Sequence, residues 1–141
     1  MTVRSVTDST SDISPRVAEE LGITVVPVYV RFGEKVYRDG VDISQDEFYQ
    51  KLAQSPVHAS TSQPSPGDFA DVYSRLSKET EEVVSIHLSS KVSGTYDSAL
   101  LGRELAQTKC HIEVVDSLSV SMGLGLITMA GVFGIFGLLA I

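Results

Sequence analysis

The sequence is short of several residue types, and each shortage excludes a class of protein. A single cysteine, Cys110, has no internal disulfide partner, and no Cys/His spacing suits a structural zinc site, so we expect no metal. Basic residues are scarce, with 11 Lys and Arg against 18 Asp and Glu and a formal net charge of −7. Because such a chain repels phosphate backbones, no nucleic-acid partner is expected. The first residues lack the apolar stretch of a secretory signal, which favours a cytoplasmic location.

The end of the chain lacks charge altogether. No charged side chain follows Asp116, and residues 122–141 form an almost wholly apolar run. A run of this length can form a membrane-spanning helix. The alternative, which the five glycines in the run favour, is a buried helix of a larger domain that ends in an abnormal or truncated tail.

The whole chain has 141 residues, of which 43% are hydrophobic, and this is enough for one domain with a core. Short β-rich runs alternate with segments of helical period, which predicts an α/β domain of βαβ units with a parallel sheet. Ser14-Pro15 and the Ser44/Glu47 pair are typical helix starts. The predicted strands are 3–7, 23–30, 82–88 and 112–116. The predicted helices are 15–21, about ten residues after Ser44, 67–78, and 99–105 as the continuation of a helix that opens within the polar turn 89–95. Residues 31–40 are a small hairpin or loop around Gly33, and 55–66 is a loop.

Hydroxyl-rich segments gather at the ends of the predicted strands. Four of them occur, at 8–12, 60–65, 89–95 and 116–121, and three follow a strand and enter a helix. Because the carboxyl ends of parallel strands share one edge, their hydroxyls and helix N–H groups would form a neutral cradle for a carboxylate or a phosphate. Each of these residues is also an ordinary helix cap, so both interpretations stay open.

The sequence offers little for catalysis. It has neither a nucleophile elbow nor a phosphate-binding loop, and no nucleophile, base and orienting group come together in it. His87 is predicted to be a hydrogen-bonded structural histidine, and Cys110 an inert thiol. We therefore predict a protein that is not an enzyme. The alternative is a phosphoryl-transfer enzyme that uses Asp8, at the end of a strand, as acceptor.

Four motifs in order resemble the DegV family of bacterial fatty-acid-binding proteins. They are Val6-Thr-Asp-Ser-Thr-Ser-Asp12, Thr61-Ser-Gln-Pro-Ser65, Ile86-His-Leu-Ser-Ser-Lys-Val-Ser-Gly-Thr-Tyr96 and Val115-Asp-Ser-Leu-Ser-Val-Ser-Met-Gly-Leu-Gly125. The resemblance covers residue 3 to about residue 129. It implies a DegV-type N-terminal α/β domain over residues 1–130, carrying one end of a long lipid pocket, followed by an aberrant apolar tail over 131–141.

The resemblance also implies a ligand, a partner and a site. Thr61 and Ser93 would hydrogen-bond the carboxylate of a long-chain fatty acid, with Ser62, Gly94 and Thr95 close by. No cofactor is implied other than this ligand. A fatty acid kinase would phosphorylate the bound acid, so the binding protein is not the catalyst. Family members are about twice as long, which predicts that this truncated chain binds lipid less well and contacts a membrane only through its tail.

Overall fold

Seven strands and five α-helices make up the computed structural model, which describes residues 3–139 and the side chains of residues 3–134. In chain order they are β1 (Val3–Asp8), a 3₁₀ turn (Ser9–Ser11), α1 (Pro15–Leu21), β2 (Ile23–Val26), β3 (Tyr29–Phe32), β4 (Lys35–Arg38), α2 (Gln45–Gln54), β5 (Ala59–Ser62), α3 (Pro66–Leu76), β6 (Glu82–His87), α4 (Thr95–Ala106), β7 (His111–Asp116) and α5 (Ser121–Leu139).

The strands form two sheets. The central sheet has the order β2-β1-β6-β7, and all of its strand pairs are parallel. This confirms the α/β fold with a parallel sheet. A smaller antiparallel sheet, β4-β3-β5, lies outside it. The sequence indicated only its hairpin, which turns at Gly33.

Helices cover both faces of the central sheet. On one face, Phe69 and Tyr73 of α3 and Ala99 of α4 pack against Val6 and Val83 of the strands. On the other face, α1 and α5 form a second cluster, which contains Ala18, Ile23 and Val132. Apolar side chains therefore leave both faces of the strands, as expected for a parallel sheet that is covered on both sides.

Serine side chains start three of the helices. The hydroxyl oxygens of Ser14, Ser44 and Ser65 accept hydrogen bonds from backbone N–H groups in the first turns of α1, α2 and α3. Glu47 completes a capping box at α2, as its spacing from Ser44 predicts. Gly22 ends α1 with a φ of 66°, a left-handed conformation that glycine adopts without strain. The signals at Ser14, Gly22 and Ser44 were sufficient to place both ends of α1 and the start of α2.

Two parts of the strand prediction were wrong. The run 23–30 is not one strand, because the chain breaks at Pro27, which has no N–H for a ladder, and crosses from β2 to β3 in the other sheet. The segment 55–66 is not wholly a loop, since it contains β5, in which Thr61 pairs with Val30 of β3. Small polar residues on an exposed strand gave no hydrophobic pattern to detect.

The apolar run forms α5, which continues through residue 130, the predicted boundary between domain and tail. Leu124 and Thr128 are 0% exposed and Val132 is 3% exposed, whereas Leu126 and Phe133 on the outer side are 60% and 62% exposed. Among the described residues, no helix meets the length and hydropathy needed to cross a membrane. Residues 140 and 141 of the predicted tail lie outside the described residues, and the tail as a separate unit stays a prediction.

Candidate functional site

A cavity of about 300 Å³ opens at the edge of the central sheet where β1 and β6 end. Three of the four hydroxyl-rich segments contribute to its wall, which supports the prediction that polar groups meet at this edge. The polar lining residues are Ser9, Thr10, Asp12, Asp39, Gln45, Thr61 and Ser121. The apolar and aromatic ones are Val28, Val30, Phe48, Tyr49, Leu88 and Val120.

Directly beneath this cavity lies the carboxylate of Asp8, which is 0% exposed. Its Oδ1 accepts hydrogen bonds from the Thr10 hydroxyl and from the Thr10 backbone N–H at 3.1 Å. Its Oδ2 accepts from His87 Nδ1 at 2.9 Å and from the Leu88 N–H at 3.1 Å. Burial alone would raise the pKa of Asp8, but the bonds from His87, Thr10 and Leu88 outweigh it and lower the pKa. With both oxygens enclosed and occupied, Asp8 is unsuited to accept a phosphoryl group.

Asp8 is the end nearest the cavity of a buried relay, a chain of four hydrogen-bonded side chains. Its members are Asp8, His87, Ser85 and Tyr73, and each of them is 0% exposed. His87 Nε2 lies 2.6 Å from Ser85 Oγ, and the Tyr73 hydroxyl donates to Ser85 Oγ at 2.7 Å. A carboxylate only accepts, so His87 Nδ1 carries a proton, and Ser85 Oγ, which accepts from Tyr73, has its own proton for His87 Nε2. The prediction of a hydrogen-bonded structural His87 is confirmed.

Sequence reasoning missed the relay itself. Asp8, His87 and Ser85 stand in the order of an orienting acid, a base and a hydroxyl, although no such grouping was expected. Here the hydroxyl of Ser85 is sealed from solvent and already accepts from Tyr73. The one signal in the sequence was the spacing of Ser85 and His87, two apart on a strand and hence on one face.

The turn before α4 carries the predicted site residues Ser93, Gly94 and Thr95. Ser93 is half-buried, and its Oγ accepts from the Thr95 N–H at 3.2 Å and lies 2.9 Å from Thr95 Oγ1. Thr95 is 0% exposed, so its hydroxyl depends on Ser93 for a partner. Gly94 is the N-cap of α4 and supplies no side-chain cap, unlike the serines that begin α1, α2 and α3.

The other predicted site residues, Thr61 and Ser62, are exposed on β5. Thr61 lines the cavity, and Ser93 is not among its lining residues. Gln63 connects the two segments, because a Cβ added to Gly94 would lie 2.9 Å from Gln63 Nε2. The structure thus places the Thr61 segment directly against the Ser93 turn, a contact that no local sequence signal indicated.

One end of the cavity is acidic. Asp12 accepts a hydrogen bond from the Ser121 hydroxyl, and the nearby Asp39 is bonded to Ser9. Burial raises the pKa of Asp39, and the charge of Asp12 raises it further. Among the described residues, no group of three or more His, Cys, Asp or Glu side chains is placed to hold a metal ion. The acidic end disfavours anions.

Relatives of known sequence place the chain in a family. A family model described as an uncharacterised protein of the DegV family matches residues 2–132. A DegV domain-containing protein of Halalkalibacterium halodurans is 50% identical over 111 residues, which are 78% of this chain and 38% of that protein.

Solved structures agree. A DegV family protein from Thermus thermophilus, described for its fatty acid binding, has a TM-score of 0.86 and 37% identity over 97% of this chain and 48% of its own. A stearic acid-binding protein from Eubacterium ventriosum has a TM-score of 0.90 and 32% identity over 96% of this chain and 48% of its own. The chain spans less than half the length of these relatives. By sequence and by fold, this chain belongs to the DegV family.

Proposed function

We propose that this chain is one half of a fatty-acid-binding protein and that Thr61 and Ser93 hold the carboxylate of a long-chain fatty acid. Ser62, Gly94 and Thr95 would stand beside the carboxylate. The contact between Gln63 and Gly94 carries this proposal, because it brings the segment of Thr61, a residue of the cavity wall, against the turn that carries Ser93. The solved DegV proteins described as binding fatty acids support the substrate class.

Two hydroxyl groups, those of Thr61 and Ser93, are available to the carboxylate. The Thr61 hydroxyl makes no hydrogen bond within the part of the chain that the structure describes, so it is free to donate. When Thr95 donates to Ser93, the proton of Ser93 is free to donate outwards. The positive end of the α4 dipole, next to Ser93, favours an anion at this position.

The acyl chain would lie along the apolar wall formed by Val28, Val30, Phe48, Leu88 and Val120. Each buried CH₂ contributes about 0.8 kcal/mol to binding. Since the relatives are about twice as long, we propose that their second half covers the rest of the acyl chain and that this chain alone binds more weakly. Presentation of the bound acid to a fatty acid kinase, without catalysis by this chain, and a cytoplasmic location belong to the same proposal.

Stearate binding to the wild type and to Thr61→Ala and Ser93→Ala tests the proposal. Loss of a donor to a desolvated carboxylate costs about 1–3 kcal/mol, so we expect affinity to fall about 5- to 150-fold in each variant, measured by native mass spectrometry or calorimetry. Ser60→Ala is the matched control, because Ser60 adjoins Thr61 on β5 but does not line the cavity.

Methyl stearate serves as the ligand control. The ester has the same acyl chain without the anionic carboxylate, so its weaker binding should be nearly equal in the wild type and both variants. Stearate affinities that are equal in the wild type, Thr61→Ala and Ser93→Ala would refute the assignment of these two residues. A wild-type chain that binds neither ligand would refute binding by this half alone.

A further inference from the structure

We infer that Asp8 is a positioning residue of the lipid site: its buried carboxylate joins the two loops that wall the cavity, and the rest of the buried relay holds it in place. This inference rests on the proposed function, which assigns the ligand contacts to Thr61 and Ser93. It assigns no contact with the ligand to Asp8, whose side chain is 0% exposed.

The two oxygens of one carboxylate bind two different loops. Oδ1 holds Thr10 in the turn that follows β1, and Oδ2 holds Leu88 at the start of the segment that leads to Ser93. Thr10 and Leu88 both line the cavity. Ser9, next to Asp8, accepts a hydrogen bond from the N–H of Val28 at 3.0 Å, and Val28 also lines the cavity. A shift of the Asp8 carboxylate would therefore change the distance between opposite walls.

The buried relay fixes where that carboxylate lies. Tyr73 donates to Ser85, Ser85 has a proton for His87 Nε2, and His87 Nδ1 donates to Asp8, so the hydrogen bonds run from Tyr73 to the carboxylate. The Phe69 ring packs on the His87 ring in a T-shaped arrangement, with 5.0 Å between the ring centroids, and this contact restricts rotation of the imidazole. The titratable groups around His87 are Asp8 from β1 and Tyr73 from α3, and Arg103 of α4 acts on Tyr73.

Asp8→Asn is the direct test, with Asp71→Asn as the matched control on the exposed side of α3. The asparagine amide turns an N–H donor towards groups that are themselves donors, so at least one loop loses its bond. We expect stearate affinity of the folded Asp8→Asn protein to fall about tenfold or more, and amide hydrogen exchange at Thr10 and Leu88 to accelerate. Asp71→Asn should match the wild type in both measurements.

A spectroscopic signature separates positioning from general stability. In the wild type, the ¹⁵N shifts of His87 should report a hydrogen-bonded proton on Nδ1, and the N–H groups of Thr10 and Leu88 should exchange slowly. A wild-type His87 without a proton on Nδ1, or fast exchange at both amides, would overturn the inference. So would a folded Asp8→Asn protein with wild-type affinity.

A third variant covers the case in which Asp8→Asn does not fold. Ser85→Ala keeps the carboxylate and both loops but removes the donor to His87 Nε2. We expect the His87 ¹⁵N signature to change and stearate affinity to fall severalfold, and unchanged values of both would overturn the inference. If the wild type binds no stearate while His87 and the two amides behave as expected, the proposed function fails and the joining of the loops by Asp8 stands.

Discussion

Tyr73 links the ionisation of one residue to the stability of the fold. Burial raises its pKa to about 12, with the Ser85 hydrogen bond and Arg103 acting in the opposite direction. An unfolded tyrosine ionises near pH 10, so the folded state retains the proton longer, and the stabilisation is complete below pH 10 and lost as pH rises towards 12. Because of Tyr73, the unfolding free energy of the wild type should be about 1 kcal/mol lower at pH 11 than at pH 9.

Urea unfolding of the wild type and Tyr73→Phe at pH 9 and pH 11 measures this effect. The variant lacks the ionisable group and should lose less stability over this interval. The other tyrosines, including Tyr29, whose pKa burial and Asp68 also raise, are common to both proteins and cancel. A parallel decline in the two proteins would contradict the burial of Tyr73.

At the residue scale, the sequence revealed the hydroxyl-bearing residues of the candidate site but not the contacts between its segments. Ser9, Thr10, Thr61 and Ser121 fall in hydroxyl-rich segments, and their meeting at one cavity follows from the order of strands and helices. The contact of Gln63 with Gly94 joins segments that are far apart in the chain, and it depends on β5, which has no hydrophobic pattern. The relay likewise unites residues of β1, β6 and α3, so only tertiary packing reveals it.

At the scale of elements, α3 and α4 approach each other closely at Gly102. A Cβ there would lie 2.8 Å from the carbonyl oxygen of Pro66 and against the Cβ of Phe69. We expect Gly102→Ala to lower the free energy of unfolding by about 1–3 kcal/mol, because the backbones must separate. Gly67→Ala is the control within α3, where the nearest atom, Ser65 Oγ, would be 3.6 Å away.

Thermal or urea unfolding of both glycine variants decides the matter. Gly67→Ala should be neutral or stabilising by up to about 1 kcal/mol, because alanine favours the helix. If Gly102→Ala were as stable as Gly67→Ala, the close approach of the two helices would be wrong.

Helices were easier to predict than strands for a physical reason. The helix starts at Ser14 and Ser44 are local, since each cap and its N–H partner lie within three residues. Strand pairing is not local. At Pro27 the chain leaves one sheet for the other, and no neighbouring residue indicates this change. β5 forms a strand because it pairs with β3. Local hydrogen bonds therefore made α1 and α2 predictable from the sequence. The second sheet could not be predicted without the tertiary structure.

At the scale of the whole molecule, α5 has two apolar sides in different surroundings. Leu124 faces the sheet at 0% exposure, and Leu126 faces outwards at 60%. We expect Leu124→Ala to cost about 2–5 kcal/mol of unfolding free energy through lost burial and a cavity, and Leu126→Ala to change it by less than about 0.5 kcal/mol. Equal losses of stability in Leu124→Ala and Leu126→Ala, measured by urea unfolding, would show that α5 does not pack on the sheet through the face that carries Leu124.

The strand order has a consequence for how the chain folds as it is synthesised. β1 is made well before β6, which is one of its two neighbours in the sheet and whose pairing begins with Val3 opposite Glu82. Until that later segment leaves the ribosome, β1 has an open edge, the kind of surface that pairs with other nascent chains. His87 and Leu88, the partners of Asp8, arrive with the same segment. The cavity is thus completed only after β6 has been made, and in that interval crowding of nascent chains threatens β1.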